Sequence, residues 1–308
     1  MRRFWIFCVL AVFFPYVATL TVNGTMKGIG MERFGEGRQE GDRRIYLDRQ
    51  GQGYVDVEEY LTGVVARQMP ADYPEEALKA QAIIARTCIY RQMGERREIS
   101  ESELILDHLK EEQMEKMWGK SGFLEYYQKI RGAVEETRGK VIMYEGEYIE
   151  PLFHRVSAGR TRDGIYPYLV SVDSRGDLEA ENYMTVMVWT PEEFTARIRR
   201  LPDGESVTKD QIPDSLQLIG REEAGYVTDI LIGSHGFDGE AVREALELPS
   251  AAYTLENYEG SVRALCRGWG HGYGMSQYGA GQKAEAGMSA EEILQYYYQD
   301  IEIFCSEP

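Results

Sequence analysis

Tyr60-Leu-Thr-Gly-Val-Val-Ala-Arg-Gln68-Met69-Pro70-Ala-Asp72-Tyr-Pro74-Glu75-Glu76-Ala-Leu-Lys79-Ala-Gln-Ala-Ile-Ile-Ala-Arg86-Thr-Cys88-Ile-Tyr-Arg91 is the stretch on which the fold turns. Residues 58–66 carry a helical pattern that leads to Gln68, and Pro70 then stops it. Asp72 followed by Pro74 and Glu75 reads as the start of a second helix, with a capping aspartate, a proline in the first turn and an acid favoured by the dipole. The run to about residue 93 is apolar on most sides and studded with alanines, so this helix is expected inside, closely packed. Lys79 and Arg86 stand seven apart on it and so project to about the same face. Charges on a buried helix need partners. They read either as ion pairs with Glu75, Glu76 or Asp72, or as ligands for sugar hydroxyls or a peptide carboxylate. Gln68, at the helix end, either fills a turn or faces a cleft.

Further along, Ser100-Glu-Ser-Glu103 resembles a capping box, and residues 103–138 read as more helix. Residues 140–144 and 147–151 flank Glu145-Gly146 as a hairpin. Thr190-Pro191-Glu-Glu193 opens another helix, strands are expected at 227–232 and 261–266, and a last helix follows Ser289. Helices and strands intermix without βαβ regularity or internal repeats, so the fold class is α+β, with mixed helices and antiparallel strands.

Gly268-Trp-Gly-His271-Gly-Tyr-Gly-Met-Ser276-Gln277-Tyr-Gly-Ala-Gly281 has six glycines in fourteen residues. Its spacing is not that of a dinucleotide loop. Alternating glycines instead allow close backbone approach. His271 reads either as an interior histidine or as a site residue.

The whole chain, 308 residues with 43% hydrophobic content, is long enough for a real core. Its net charge of −17 excludes nucleic acid as a partner, because a phosphate backbone is bound by clustered Lys and Arg. Acidic pairs such as Glu111-Glu112 and Glu135-Glu136 read as solvated helix faces. The four histidines lack metal-site spacing and the four cysteines lack C-x-x-C spacing, so no metal or cofactor is expected. A disulfide between two of Cys88, Cys266 and Cys305 stays open. Arg2-Arg3 followed by an apolar run through residues 4–22 is near the length that spans a bilayer. Residues 1–24 are therefore expected to be a membrane anchor, or alternatively a cleaved signal peptide. Both place the rest outside the cytoplasmic membrane. Residues 25–53, rich in Gly, Arg and Glu, read as a juxtamembrane linker, and 54–308 as the extracytoplasmic domain.

Four segments occur in an order that resembles the stage II sporulation protein D and amidase-enhancer family: Gln68 to Arg86, Phe153-His154 with Gly159 and Thr161, residues 242–250, and the glycine-rich segment. The resemblance implies a glycan-binding cleft, peptidoglycan strands as ligand, and lytic transglycosylase chemistry. It also implies links to a cell-wall amidase and to other membrane-bound sporulation proteins. The family's acid matches Gln68, where glutamate is usual. Lys79, Arg86, His271, Ser276 and Gln277 match other motif positions and are expected to bind substrate. A metal held by histidine and cysteine in some members, near Phe153-His154, is not expected here, since no cysteine lies in that segment. An amide cannot shuttle a proton, so the expectation is a glycan-engaging protein without its acid. The alternatives are a transglycosylase with a displaced acid, drawn from Glu59, Asp72, Glu75 or Glu76, and a non-catalytic amidase activator or scaffold.

Overall fold

The computed structural model describes residues 43–49 and 53–305. The expected membrane anchor lies outside the described residues. No helix among those described is long and apolar enough to cross a membrane.

Residues 44–46, within the segment expected to be a linker, form a strand. Strand β1 (Arg44–Tyr46) pairs antiparallel with β2 (Tyr54–Asp56). The pairing follows from alternation: Ile45 points inward and is fully buried between two polar-tipped neighbours. Helix α1 (Val57–Gln68) is capped by Asp56, which accepts from the Glu58 N–H at 2.9 Å. Helix α2 (Glu75–Met93) starts with Pro74 at its cap position and no side-chain cap. Asp72 therefore does not cap it. Proline's fixed φ and missing N–H are enough to begin the helix.

Strand β3 (Glu98–Ser100) pairs parallel with β1. The Ser100–Glu103 capping box forms, but on a single 3-10 turn. The long helix begins only at α3 (Glu111–Glu136) and is broken at Gly119, where φ is 70°. Strands β4 (Lys140–Tyr144) and β5 (Glu147–Tyr148) form the expected hairpin. Glu145 and Gly146 both take positive φ, as a two-residue turn requires.

Strand β6 (Phe153–His154) precedes a long loop, then come β7 (Met184–Trp189) and α4 (Pro191–Ile198) with its capping box. Strands β8 (Leu216–Arg221), β9 (Val227–Ile232) and β10 (His235–Asp238) form an antiparallel sheet followed by α5 (Gly239–Leu246). Strands β11 (Tyr253–Tyr258) and β12 (Ser261–Arg267) join β7 in the order β11-β12-β7. Strand β13 (Met275–Ser276) pairs parallel with β6 and leads into α6 (Gln277–Glu285), α7 (Ala290–Tyr297) and β14 (Glu302–Cys305), the last pairing with β4.

The class is mixed α+β, as expected, though β1–β3 and β6–β13 depart from the antiparallel rule. One core gathers α1, α2, α6 and α7 with β4 around Leu61, Val65, Leu78, Ile83 and Tyr297. A second lies between the β7–β12 and β8–β10 sheets and α4 and α5, around Phe194, Val242 and Tyr253. Cys88, Cys266 and Cys305 are free thiols.

Candidate functional site

Helix α1 ends at Gln68, half-buried, and Met69 closes it by donating its N–H to Val65 O at 3.0 Å. The last carbonyls of a helix lack intrahelical donors. Gln277, the first residue of α6, supplies one through Nε2 to the Gln68 main-chain oxygen at 2.9 Å. Gln81, fully buried mid-way along α2, donates from Nε2 to Gln68 Oε1 at 2.8 Å, and its own Oε1 accepts from Gln277 at 3.2 Å. Three glutamine side chains thus knit α1, α2 and α6. A buried amide needs such partners. The Gln68 oxygen is committed inward to Gln81, and its amide nitrogen has no hydrogen-bond partner among the described residues.

Ser276 is fully buried; it caps α6 by accepting from Gly279 N at 3.2 Å and donates to Asp177 Oδ1 at 3.0 Å. Asp177 also takes the Ser157 N–H at 2.7 Å and the Ser174 hydroxyl at 3.1 Å on its other oxygen. Burial pushes its carboxyl above the ordinary range, against the pull of these donors. Ser276 and Gln277, expected from sequence to bind substrate, are instead buried and act as interior positioning groups.

His271 is partly buried, and its Nδ1 accepts from Tyr273 N at 3.1 Å. Its ring lies 5.8 Å from that of His154, centroid to centroid. Burial lowers the pKa of both. His154 is pushed down to about 3 by burial, with the His271 ring adding to the effect. Its Nδ1 faces Tyr273 O at 3.0 Å, while Nε2 is buried without a partner among the described residues. Among the described residues no third His, Cys, Asp or Glu joins the two rings there as a metal ligand. Beside them, Arg162 is forked onto Glu222 at 2.9 and 2.5 Å and stacked between Tyr226 and Tyr273. No hydrogen bond or ring contact among the described residues joins His271 to Gln68.

Lys79 and Arg86 do share a face, but it is turned to the end of α3. Lys79 pairs with Glu136 at 2.6 Å, Glu76 at 2.9 Å and Glu75 at 3.0 Å. Burial works against its charge, yet these carboxylates raise its pKa. Arg86 is fully buried, bidentate to Glu58 at 2.7 and 2.6 Å, and bonded to the Val134 and Lys140 carbonyls at 3.1 Å each. A guanidinium so enclosed cannot reach a ligand, so the binding role expected for Arg86 gives way to a structural one. Gln81 lies about 200° around α2 from Lys79, which puts both cations on the side away from Gln68.

Of the carboxylates considered as substitutes, Glu75 and Glu76 belong to Lys79, and Glu76 also accepts from Ala290 N at 2.8 Å. Glu59 is nine residues back along α1, and its pKa is raised by partial burial and by Asp56 and Glu111. Asp72 is exposed on the loop after Gln68 and makes no hydrogen bond or ion pair among the described residues.

Sequence reasoning missed Gln81, the one glutamine in an alanine-rich buried run, and Asp177, whose surroundings give no local signal. It also passed over the groups that pack along α6 and the strand-connecting segment beside it. Tyr278 donates its N–H to Arg155 O at 3.0 Å. Tyr73 lies against α6 at Gly281, where an added Cβ would sit 3.2 Å from its ring. The Arg155 guanidinium stands 5.1 Å over the ring of Trp269.

The stage II sporulation protein family model matches residues 50–144. Stage II sporulation protein D of Bacillus amyloliquefaciens is 32% identical over 263 residues, covering 81% of this chain and 74% of that protein. Its counterpart in Bacillus subtilis shows the same identity and coverage. The amidase enhancer of Bacillus subtilis is 24% identical over 77% of this chain, which spans 39% of that longer protein. With that identity sustained across most of both chains, the protein belongs to the stage II sporulation protein D family.

Proposed function

We propose that this chain engages peptidoglycan strands during sporulation, through a cleft beside Gln68, without the general acid that a lytic transglycosylase needs. It acts outside the cytoplasmic membrane, held there by its N-terminal segment. In the one-acid route a single carboxyl protonates the leaving glycosidic oxygen, then as a base takes the proton of the muramic C6 hydroxyl that closes a 1,6-anhydro ring. Ordinary glycosidases divide such work between two carboxylates.

The observation that carries this reading is the amide at position 68, held by Gln81 and able only to hydrogen-bond. Losing general acid–base help typically costs about 10²–10⁴-fold in rate. The test incubates the full chain and a Gln68→Glu variant with purified glycan strands and looks for 1,6-anhydro ends by mass spectrometry. Products from the variant alone support the reading. Products from the parent overturn it and point to a displaced acid, with Asp72→Asn as the next variant.

A second reading, a non-catalytic activator or scaffold for a wall amidase, draws on the similarity to an amidase enhancer. It predicts that the chain raises the turnover of a cell-wall amidase while itself releasing no product.

A further inference from the structure

We infer that Arg155 and Trp269 form a carboxylate-recognising subsite at one end of the Gln68 cleft, which reads the anionic groups of a wall glycan strand. This rests on the glycan-engaging function proposed above and adds to it the group that selects the ligand.

Trp269 is 41% exposed and offers a flat aromatic face with a polar N–H, the kind of surface enriched at binding sites. Yet it is not loosely held. Gly268 N donates to Tyr183 O at 2.8 Å, Trp269 N to Val156 O at 2.7 Å, Gly270 N to Pro249 O at 2.8 Å, and Val156 N returns a bond to Trp269 O at 3.1 Å. Gly268 and Gly270 have φ of 74° and 111°, and a Cβ on either would lie 2.7 Å from Val156 O or His154 Cβ. The two glycines press the backbone onto the segment that follows β6, and the indole between them is the part left facing out. A fixed, exposed aromatic has already lost the freedom that binding would otherwise remove.

Arg155 precedes Val156 in that segment and is exposed, with its guanidinium over the indole. Stacking orients the planar fork and leaves its edge N–H groups for a planar acceptor such as a carboxylate. Among the described residues Arg155 has no ion-pair partner. In a chain of net charge −17, a cation without an ion-pair partner at this point gives local attraction against the overall repulsion of anions. Hydrogen bonds through the start of α6 link the subsite's backbone to Gln68: Arg155 O holds Tyr278 N, and the neighbouring Gln277 holds Gln68 O. The Arg155 charge also reaches Tyr73, whose hydroxyl is raised by burial and drawn down by that cation.

The test measures binding of the full chain to glycan strands in four forms: peptide-free and peptide-bearing, each native and carboxyl-reduced. The peptide-free arm presents the lactyl carboxylate, and the peptide-bearing arm the stem carboxylates. Native strands of one or both kinds should bind on the order of tenfold more tightly than their reduced forms. Arg155→Ala should bring that ratio close to one, and Arg155→Lys, which keeps charge but loses the stacked fork, should recover only part of it. Equal binding of native and reduced strands by the parent, or a ratio untouched in Arg155→Ala, would overturn the subsite while leaving glycan binding in place. No binding to any strand would overturn both.

Discussion

Gln277 Nε2 donates to the main-chain oxygen of Gln68 at 2.9 Å, tying together positions 209 residues apart in the sequence. The contact explains why two distant motifs occur in one chain. The first ends a helix with an unpaired carbonyl, and the second starts a helix whose first side chain satisfies it. Gln81 completes the triangle from α2. The glycine-rich segment therefore matters to position 68 through Gln277, on the helix that Ser276 caps, more than through His271.

Gln81→Leu should be destabilising beyond its loss of two hydrogen bonds. The leucine fits by volume but leaves the fully buried Gln277 amide short of a partner, while Gln68 can turn to water. An unsatisfied buried amide costs about 1–3 kcal/mol. A fall of that size in unfolding free energy from urea titration is expected, and an unchanged midpoint would show that water replaces the network.

Gln68→Glu should be tolerated. The carboxylate can keep the acceptor contact to Gln81, and the added charge at a helix C-terminus costs about 0.3–1 kcal/mol. A thermal midpoint within a few degrees of the parent is expected, by calorimetry. A collapse of several kcal/mol would mean that the pocket is built for an amide, which would weaken the idea of a site that formerly held an acid.

Arg86→Met should be among the most damaging single changes in the chain. It strands the buried Glu58 carboxylate, and breaking a buried pair from one side costs about 3–5 kcal/mol. The double variant Arg86→Met with Glu58→Met should regain much of that loss, because no charge is then left unpaired. A double variant worse than the single one would show that the guanidinium's bonds to the Val134 and Lys140 carbonyls dominate instead.

The helices from Tyr60 to Arg91 were legible because their signals are local: an apolar face, a proline break, a proline start. The helix starts at Thr190 and Ser289 and the Glu145-Gly146 turn were legible for the same reason. What the sequence hid was pairing at a distance. Arg86 on a buried helix announced a need for a partner, but nothing local distinguishes Glu58 from Glu75 or a ligand. Asp177 sits in an ordinary loop and becomes a hub only when Ser157, Ser174 and Ser276 fold around it. Residues 44–46 look like linker because one buried isoleucine is too short a pattern to read.

Acid should destabilise the fold partly through His154. Its pKa is pushed down to about 3 by burial, against about 6.5 in an unfolded chain. Between those values the unfolded state binds the proton and the native state does not. Stability is then fully present above about pH 6.5 and falls as pH drops toward the folded value, with a limiting slope of about 1.4 kcal/mol per pH unit. Asp177 works in the opposite sense, since burial raises its pKa and its native form takes up a proton more readily than the unfolded one. The difference between parent and His154→Asn removes that contribution. Asparagine can keep the donor that faces Tyr273 O and has nothing to titrate. Denaturation midpoints measured from pH 7 to 4.5 should fall more steeply in the parent than in the variant, and parallel curves would show that His154 takes up its proton in the folded state.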